Sequence, residues 1–342
     1  MRTLLDMSFA ELGEYLAGLG QQRYRAGQIM RWLLRGIDFE GMTDLPAAFR
    51  ETLAREALTG LPRVADKLTS SRDGTIKLLL ELGDGELVES VVMDYEHGKS
   101  VCVSSQAGCR MGCKFCASTL NGMKRPLTAG EMLGQVIVAQ RESGARVGGV
   151  VVMGIGEPFD NYDNLVRFLR LITAPEGLNI GSRHISVSTC GMVAGIRKLA
   201  REELPVTLSV SLHSAINSVR SKIMPINNKW QVEELLSACR EYFEVTGRRI
   251  SFEYILIAGV NDGVSDAAAL AGMLGEFMRG VPAHVNLIPY NPVKEREFAT
   301  PDRDTVTKFK AVLERKGVNV TVRRRLGPDI NASCGQLRAG KM

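Results

Sequence analysis

Val101-Cys102-Val103-Ser104-Ser105-Gln106-Ala107-Gly108-Cys109-Arg110-Met111-Gly112-Cys113-Lys114-Phe115-Cys116 is a β-rich run followed at once by three cysteines spaced C-x3-C-x2-C. The chain has seven cysteines (Cys102, Cys109, Cys113, Cys116, Cys190, Cys239 and Cys334), and four of them fall within fifteen residues here. An odd count argues against a disulfide framework. The N-terminus reads Met-Arg-Thr-Leu-Leu-Asp, where Asp6 interrupts any signal-peptide core, so the expected location is the cytoplasm.

Outward from this stretch the pattern becomes strand then helix, repeated. Strand candidates are Val101–Ser105, Gly149–Gly154, His184–Thr189, Thr207–Leu212, Ile250–Ile257 and Val285–Pro289. Helix candidates are Ala129–Glu142, Asn164–Ile172, Val193–Arg201, Val232–Val245, Ala267–Met278 and Asp302–Lys316. Thr128-Ala-Gly-Glu131 is a capping box, and Thr300-Pro301 predicts a helix with Pro at its first position. Six βα units predict a parallel sheet buried on both faces. They span fewer residues than an eight-unit barrel needs, so an open, partial (β/α)6 barrel is expected; periodicity alone does not separate it from a doubly wound sheet. In either case the functional loops follow the carboxyl ends of the strands.

Before this series, Phe9–Leu19, Arg25–Leu34 and Pro46–Leu53 carry helical spacing. Two β-rich runs flank Gly83-Asp84-Gly85 and predict a hairpin over Thr75–Met93. The expected division is a small helical and β-hairpin accessory domain over 1–94, a barrel core over 95–328 and a tail over 329–342.

The 342 residues, 45% hydrophobic and 24% charged, describe a globular chain and exclude disorder as the main state. No apolar run approaches the roughly 18–20 residues that cross a bilayer, so no membrane partner is expected. A net charge of +5 permits a phosphate-rich partner, and a solvated surface explains it equally well.

Three thiolates close together suit a soft metal or an iron–sulfur cluster. A structural zinc site wants four closed ligands, and His97 is the only nearby imidazole. A four-iron cluster held by three thiolates keeps one iron open to a further ligand. Gly154-Ile-Gly156 lacks the third glycine of a dinucleotide loop, because Phe159 holds its place.

The C-x3-C-x2-C run, placed after a strand at the start of a βα series, resembles the radical S-adenosylmethionine (SAM) superfamily. Further stretches join it: Gly154-Ile-Gly-Glu-Pro158, Ser188-Thr-Cys-Gly191, Ser211-Leu-His213, Met224-Pro-Ile-Asn227, Asn286-Leu-Ile-Pro289 and Asp329-Ile-Asn-Ala-Ser-Cys-Gly-Gln-Leu337. Together they resemble the RlmN family over nearly the whole chain, with Asn331, Ser333 and Cys190 standing where that family commonly has other residues. The resemblance implies a methyltransferase acting on C2 of an adenine in 23S rRNA and of the adenine 3′ of the anticodon in tRNA. The sister family Cfr, which methylates C8 of the same ribosomal adenine, shares the core motifs. A non-catalytic, metal-stabilised RNA-binding module is the reading from another class.

The resemblance also implies residue roles. Cys109, Cys113 and Cys116 hold a 4Fe–4S cluster, whose open iron binds SAM. Gly156, Glu157, Ser188, Ser211, Leu212, His213 and Asn291 form the SAM pocket. One SAM methylates Cys334, a second supplies the radical that takes a hydrogen from that methyl group, and the carbon adds to the adenine. Cys102 then resolves the adduct through a transient disulfide with Cys334, and Glu89 removes the C2 proton. A reductant such as flavodoxin is the implied electron donor. From position alone, Cys102 reads as a buried strand residue and Glu89 as a surface carboxylate. His184 and His284 receive no role. Arg23, Arg25, Arg31, Arg35, Lys124, Arg125 and Arg323-Arg-Arg325 are candidate phosphate contacts, against the bland reading of solvated cations.

Overall fold

The fold is drawn from a computed structural model that describes residues 1–96 and 98–338. His97 lies outside the described residues. Ten of the described strands form one sheet in strict chain order. Strands β1 (Arg63–Thr69), β2 (Ile76–Glu81) and β3 (Leu87–Tyr95) are antiparallel, and β4 (Gly98–Cys102) runs antiparallel to β3. From β4 onward the sheet is parallel: β5 (Val147–Val152), β6 (Ile185–Thr189), β7 (Thr207–Ser211), β8 (Ile250–Leu256), β9 (Ala283–Pro289) and β10 (Val320–Val322). The hairpin strands of the accessory part and the barrel strands are therefore one continuous sheet.

Helices 129–143, 162–173, 193–199, 232–246, 264–277 and 303–315 make the crossovers. Strands covered in this way bury both faces and read as apolar runs; every residue of Ile250–Leu256 is buried. The partial barrel expected from the six βα units is present. Its seventh parallel strand, β10, was not foreseen, because two of its three residues are exposed and leave no apolar signature. β1 escaped notice for the same reason, since none of its residues is buried. The last helix also begins later than Pro301 suggests. Asp302 is its N-cap and accepts from the Thr305 N–H at 2.7 Å, leaving Pro301 just outside.

The N-terminal helices 9–18, 25–33 and 47–56 pack Leu12, Leu16, Ile29, Leu33 and Phe49 into the same apolar core as the sheet. Helix 129–143 sits very close to this part. A Cβ at Gly130 would lie 2.7 Å from the Asp6 backbone nitrogen, and one at Gly134 would lie 2.7 Å from the Gly60 carbonyl oxygen. The Asp6 carboxylate accepts from the Gly130 N–H at 2.6 Å, a favourable place for negative charge at a helix start. No described helix is long and apolar enough to cross a membrane.

The β2–β3 turn is tied down by one guanidinium. Arg125 reaches Asp84 in the turn (Nε–Oδ2 2.6 Å, Nη2–Oδ1 2.9 Å) and both Glu131 oxygens at 2.8 Å. The hydrogen bond from Arg125 holds the Asp84 carboxyl down at about 2. A carboxylate with a depressed pKa in the folded state stabilises above its ordinary pKa and loses that effect as pH falls through the folded value. Because Asp84 is half exposed, the stabilisation is small, about 0.5–1 kcal/mol. Asp84→Asn is therefore expected to lower stability by about that amount at neutral pH. The difference from the parent should shrink as pH drops from about 4 toward 2, measured by urea unfolding at each pH.

Candidate active site

The three-cysteine loop hangs from the carboxyl end of β4. Gln106–Gly108 pairs antiparallel with Met123–Pro126 and closes the loop between them. Gly108 has φ +77°, and a Cβ there would collide with the Gly122 carbonyl, so only glycine fits the pinch. Cys109, Cys113 and Cys116 line one cavity together with Gly156, Glu157, Ser188, Ser211 and His213. The residues expected at separate strand ends thus meet at the carboxyl edge of the sheet.

Burial raises all three thiols, with Cys109 pushed up to about 12. Left alone they are neutral; a bound cationic metal centre would displace their protons. Among the described residues no three ligand-type side chains converge as a cage for a single metal ion. The thiols stand along the wall of a cavity instead. Three thiols on one cavity wall suit a multi-iron cluster, which they would hold while leaving one position open to a further ligand.

The surrounding loops are fixed by buried polar groups. Glu157 accepts from the Cys190 N–H at 2.7 Å and from the Phe159 N–H at 3.1 Å, and burial raises its pKa. His213 adopts φ +58°, and its Nδ1 accepts from the Ile255 N–H at 3.0 Å. Burial pushes its pKa down to about 3, so the ring is neutral. Phe115 of the cysteine loop meets this ring edge-on, with centroids 5.0 Å apart. Beneath them Arg220 is fully buried. Its Nε donates to the Leu212 carbonyl at 2.8 Å, and Nη2 donates to the Cys190 and Ser211 carbonyls at 2.8 and 3.0 Å. Two expected pocket residues lie slightly apart. Leu212 turns its side chain into the apolar core, and Asn291 lines the adjoining pocket, where its Nδ2 donates to the Cys334 carbonyl at 3.1 Å.

The tail carries Cys334 to the same edge. The Ala117 N–H donates to the Gly335 carbonyl at 2.8 Å, and Ser118 Oγ donates to the Leu337 carbonyl at 2.6 Å, which seats the tail on the cysteine loop. Cys102 is buried, and its thiol is pushed up to about 12, first by burial and then by the neighbouring Cys334. Arg323 opposes this, and its own pKa is raised chiefly by Cys334. Arg323 also lies 3.6 Å from Glu253. The arrangement brings two thiols and one cation into mutual electrostatic reach, from β4, β10 and the tail.

Glu89 is only 1% exposed and is not the surface carboxylate its position suggests. Lys77 Nζ lies 2.8 Å from Glu89 Oε1 and donates to the Asn331 carbonyl at 3.3 Å. Glu89 Oε2 accepts from the Arg338 N–H at 2.8 Å. The pair clamps both ends of the Cys334 segment. Lys77 went unremarked in the sequence. A signal was present, because Lys77 pairs with Val91 and so lies diagonal to Glu89 on the neighbouring strand, each amid apolar residues.

The basic candidates divide. Arg125 is committed to Asp84 and Glu131, and Arg323 faces the thiols, so neither is a free phosphate contact. Arg23, Arg31, Arg35, Lys124, Arg324 and Arg325 are exposed.

A family model described as "Radical SAM superfamily" matches residues 103–271, and one described as "Ribosomal RNA large subunit methyltransferase N-terminal domain" matches residues 2–58. The chain is 49% identical over 340 residues to a probable dual-specificity RNA methyltransferase RlmN of Clostridium perfringens, covering 99% of this chain and 97% of the relative. The equally named protein of Pelotomaculum thermopropionicum is 52% identical over 335 residues, covering 97% and 90%. The crystal structure of a radical SAM methyltransferase from Sphaerobacter thermophilus superposes with a TM-score of 0.95 at 43% identity, over 99% of this chain and all of that one.

Removing one member of the buried Lys77–Glu89 pair leaves a charge without compensation. Lys77→Met is expected to lower stability by about 3–5 kcal/mol, and adding Glu89→Gln should recover most of that loss. Denaturant unfolding of the single and double variants measures both.

Proposed function

The chain belongs to the RlmN family of radical SAM RNA methyltransferases, and on that premise we propose that it methylates C2 of an adenine in 23S rRNA and in tRNA through Cys334. The observation that carries this reading is that the tail, seated on the cysteine loop through Ala117 and Ser118, brings Cys334 within electrostatic reach of both Cys102 and Cys116. Enzymes of this superfamily use a 4Fe–4S cluster and SAM, which when bound supply the methyl group and the one-electron chemistry that activates it.

The adenine C2 carbon is electron-poor and offers no lone pair to attack a methyl cation. A protein thiol is a better acceptor, because sulfur is nucleophilic and can carry the carbon onward. In our reading Cys334 is that carrier. Its placement supports this, since its neighbours Asn291 and Gly335 are fixed to the pocket and to the cysteine loop while its side chain is only partly buried. Cys109, Cys113 and Cys116 are the cluster ligands, each binding one iron. Gly156, Glu157, Ser188, Ser211 and His213 form the wall where SAM sits, with backbone contacts from Leu212 and an edge from Asn291.

Once the carbon of Cys334 is bonded to C2, the adduct's unpaired electron would pass back to the bound cluster, Glu89 takes the C2 proton, and the Cys102 thiolate attacks the Cys334 sulfur. The S–C bond breaks with its electron pair going to the carbon, which takes up a proton to become the methyl group on the base, and a Cys102–Cys334 disulfide forms, which a cellular thiol reductant reopens. Burial keeps Cys102 protonated at rest, and Arg323 is the nearby cation that favours its thiolate. Residues 1–94 are read as the RNA-facing part beside a core over 95–328 and a tail over 329–342. Support comes from the exposed Arg31 on helix 25–33 and the exposed Arg23 and Arg35 just beyond its two ends. The target base leaves its stack to reach the buried cavity. A flavodoxin-type donor supplies the electron in this reading. The Cfr-type reaction at C8 is disfavoured by the match of residues 2–58 and by the relatives' names.

Mass mapping of RNA adenines with and without the gene tests the product, with 2-methyladenine expected and 8-methyladenine refuting the C2 assignment. Peptide mass spectrometry should find one methyl group on Cys334 in protein from cells with active cluster assembly; a methyl on any other cysteine refutes the carrier role. Cys102→Ala is expected to copurify covalently with RNA through Cys334. Normal turnover by that variant would exclude Cys102 as the resolving thiol.

A further inference from the structure

A cavity of about 890 Å³ lies apart from the cysteine pocket. It lies inside the sheet at the opposite, amino-terminal ends of the parallel strands. The inward rows continue from one end to the other: Ser186 and Ser209 face this chamber, while Ser188 and Ser211 face the cysteine cavity. A volume of this order falls in the range of small-molecule sites, about 300–1,000 Å³.

Its charge is one-sided. Lys99, Arg146, Arg183, Arg249 and Arg323 line it against one carboxylate, Glu253. Lys99 is paired with Asp94 at 2.8 Å, and Arg323 faces Glu253. Arg146 and Arg249 immediately precede β5 and β8, Arg183 lies two residues before β6, all three are exposed at the mouth, and among the described residues no carboxylate pairs with any of them. Three planar guanidinium forks around one opening match a phosphate geometrically as well as electrically.

Deeper in, the wall is built of hydroxyls and one acid. Ser186 Oγ and Ser209 Oγ are 2.9 Å apart, while nearer the surface Thr321 Oγ1 lies 3.0 Å from His284 Nε2. Glu253 accepts from Ser251 Oγ at 3.0 Å and from Asn286 Nδ2 at 2.8 Å. An acidic side chain is the group that receives ribose hydroxyls in dinucleotide-binding folds, and here Glu253 is buried in a cavity whose other charged lining is cationic. We propose that this chamber binds a phosphorylated ribose, with Arg146, Arg183 and Arg249 on the phosphate and Glu253 on the sugar. The ligand is either a free nucleotide or a segment of an RNA chain. Arg323 is the partition, because it also lines the pocket of Cys334, so charge placed in the chamber acts on the thiol pair.

The test is calorimetric titration of the cluster-reconstituted, SAM-loaded enzyme with ADP, with ribose 5-phosphate and with a short single-stranded RNA. Binding of ADP or ribose 5-phosphate, weakened at least about tenfold in the Arg146→Gln/Arg183→Gln/Arg249→Gln variant, supports a free-nucleotide site. Binding of the RNA alone, with the same loss in the triple variant, supports an RNA-chain site. The substituted side chains are exposed and remote from the cysteines, so iron content and Cys334 methylation should match the parent and report an intact fold. No binding of any of the three ligands, displacement by excess SAM, or binding unaffected by the triple substitution overturns the proposal.

Discussion

A single buried guanidinium holds the catalytic edge together. Arg220 has no carboxylate partner among the described residues, and its donors go to the Leu212, Cys190 and Ser211 carbonyls and to Asn227 Oδ1. Burial draws its pKa down to about 10, which still leaves it charged. A desolvated cation of this kind is tolerated only when every donor finds an acceptor, and here the acceptors are the loops that follow β6 and β7. Those loops cannot drift without leaving a charge unsatisfied. The same cation lies within electrostatic reach of Cys190 and Cys113, where it would offset the negative charge of a thiolate. The rigidity of the site and its electrostatic tolerance for sulfur therefore have one origin.

The second constraint is the path of the tail. Its contacts come from three directions: Ala117 and Ser118 of the cysteine loop, Asn291 after β9, and the Lys77–Glu89 pair of the hairpin. The continuous sheet makes this possible. Because β3 is hydrogen-bonded directly to β4, a hairpin residue and a barrel residue can face the same nine-residue segment without a movable joint between them. Asn331 lies in the left-handed region at φ +49°, a conformation that asparagine tolerates better than most residues, and the bend it makes aims the chain toward Cys334.

Much of this was legible in the order of residues. The six apolar runs that became β4 to β9 announced the parallel sheet, and the Thr128–Glu131 capping box formed as its spacing required. The cluster cysteines are local, so spacing sufficed. What stayed hidden depends on contacts between distant segments. Glu89 reads as exposed because nothing near it in sequence reveals that the tail covers it. Cys102 and Cys334 stand far apart in the chain, and their meeting follows from topology. β10 and β1 are edge strands whose side chains face solvent, so selection for alternation is weak there. The arginines before β5, β6 and β8 carry no motif at all; only closure of the strands around a common hollow makes them neighbours.

The late position of the tail has a consequence for the order of assembly. Cys334 stands 218 positions after Cys116. Chains emerge amino end first at about 5–20 residues per second, so translation separates the cysteine loop from its cover by about 10–40 s. During that interval β5 to β10 are added one after another, and the segment that holds Cys334 and Arg338 comes after all of them. The contacts of Lys77, Glu89, Ala117 and Ser118 with the tail are thus among the last that the emerging chain can make.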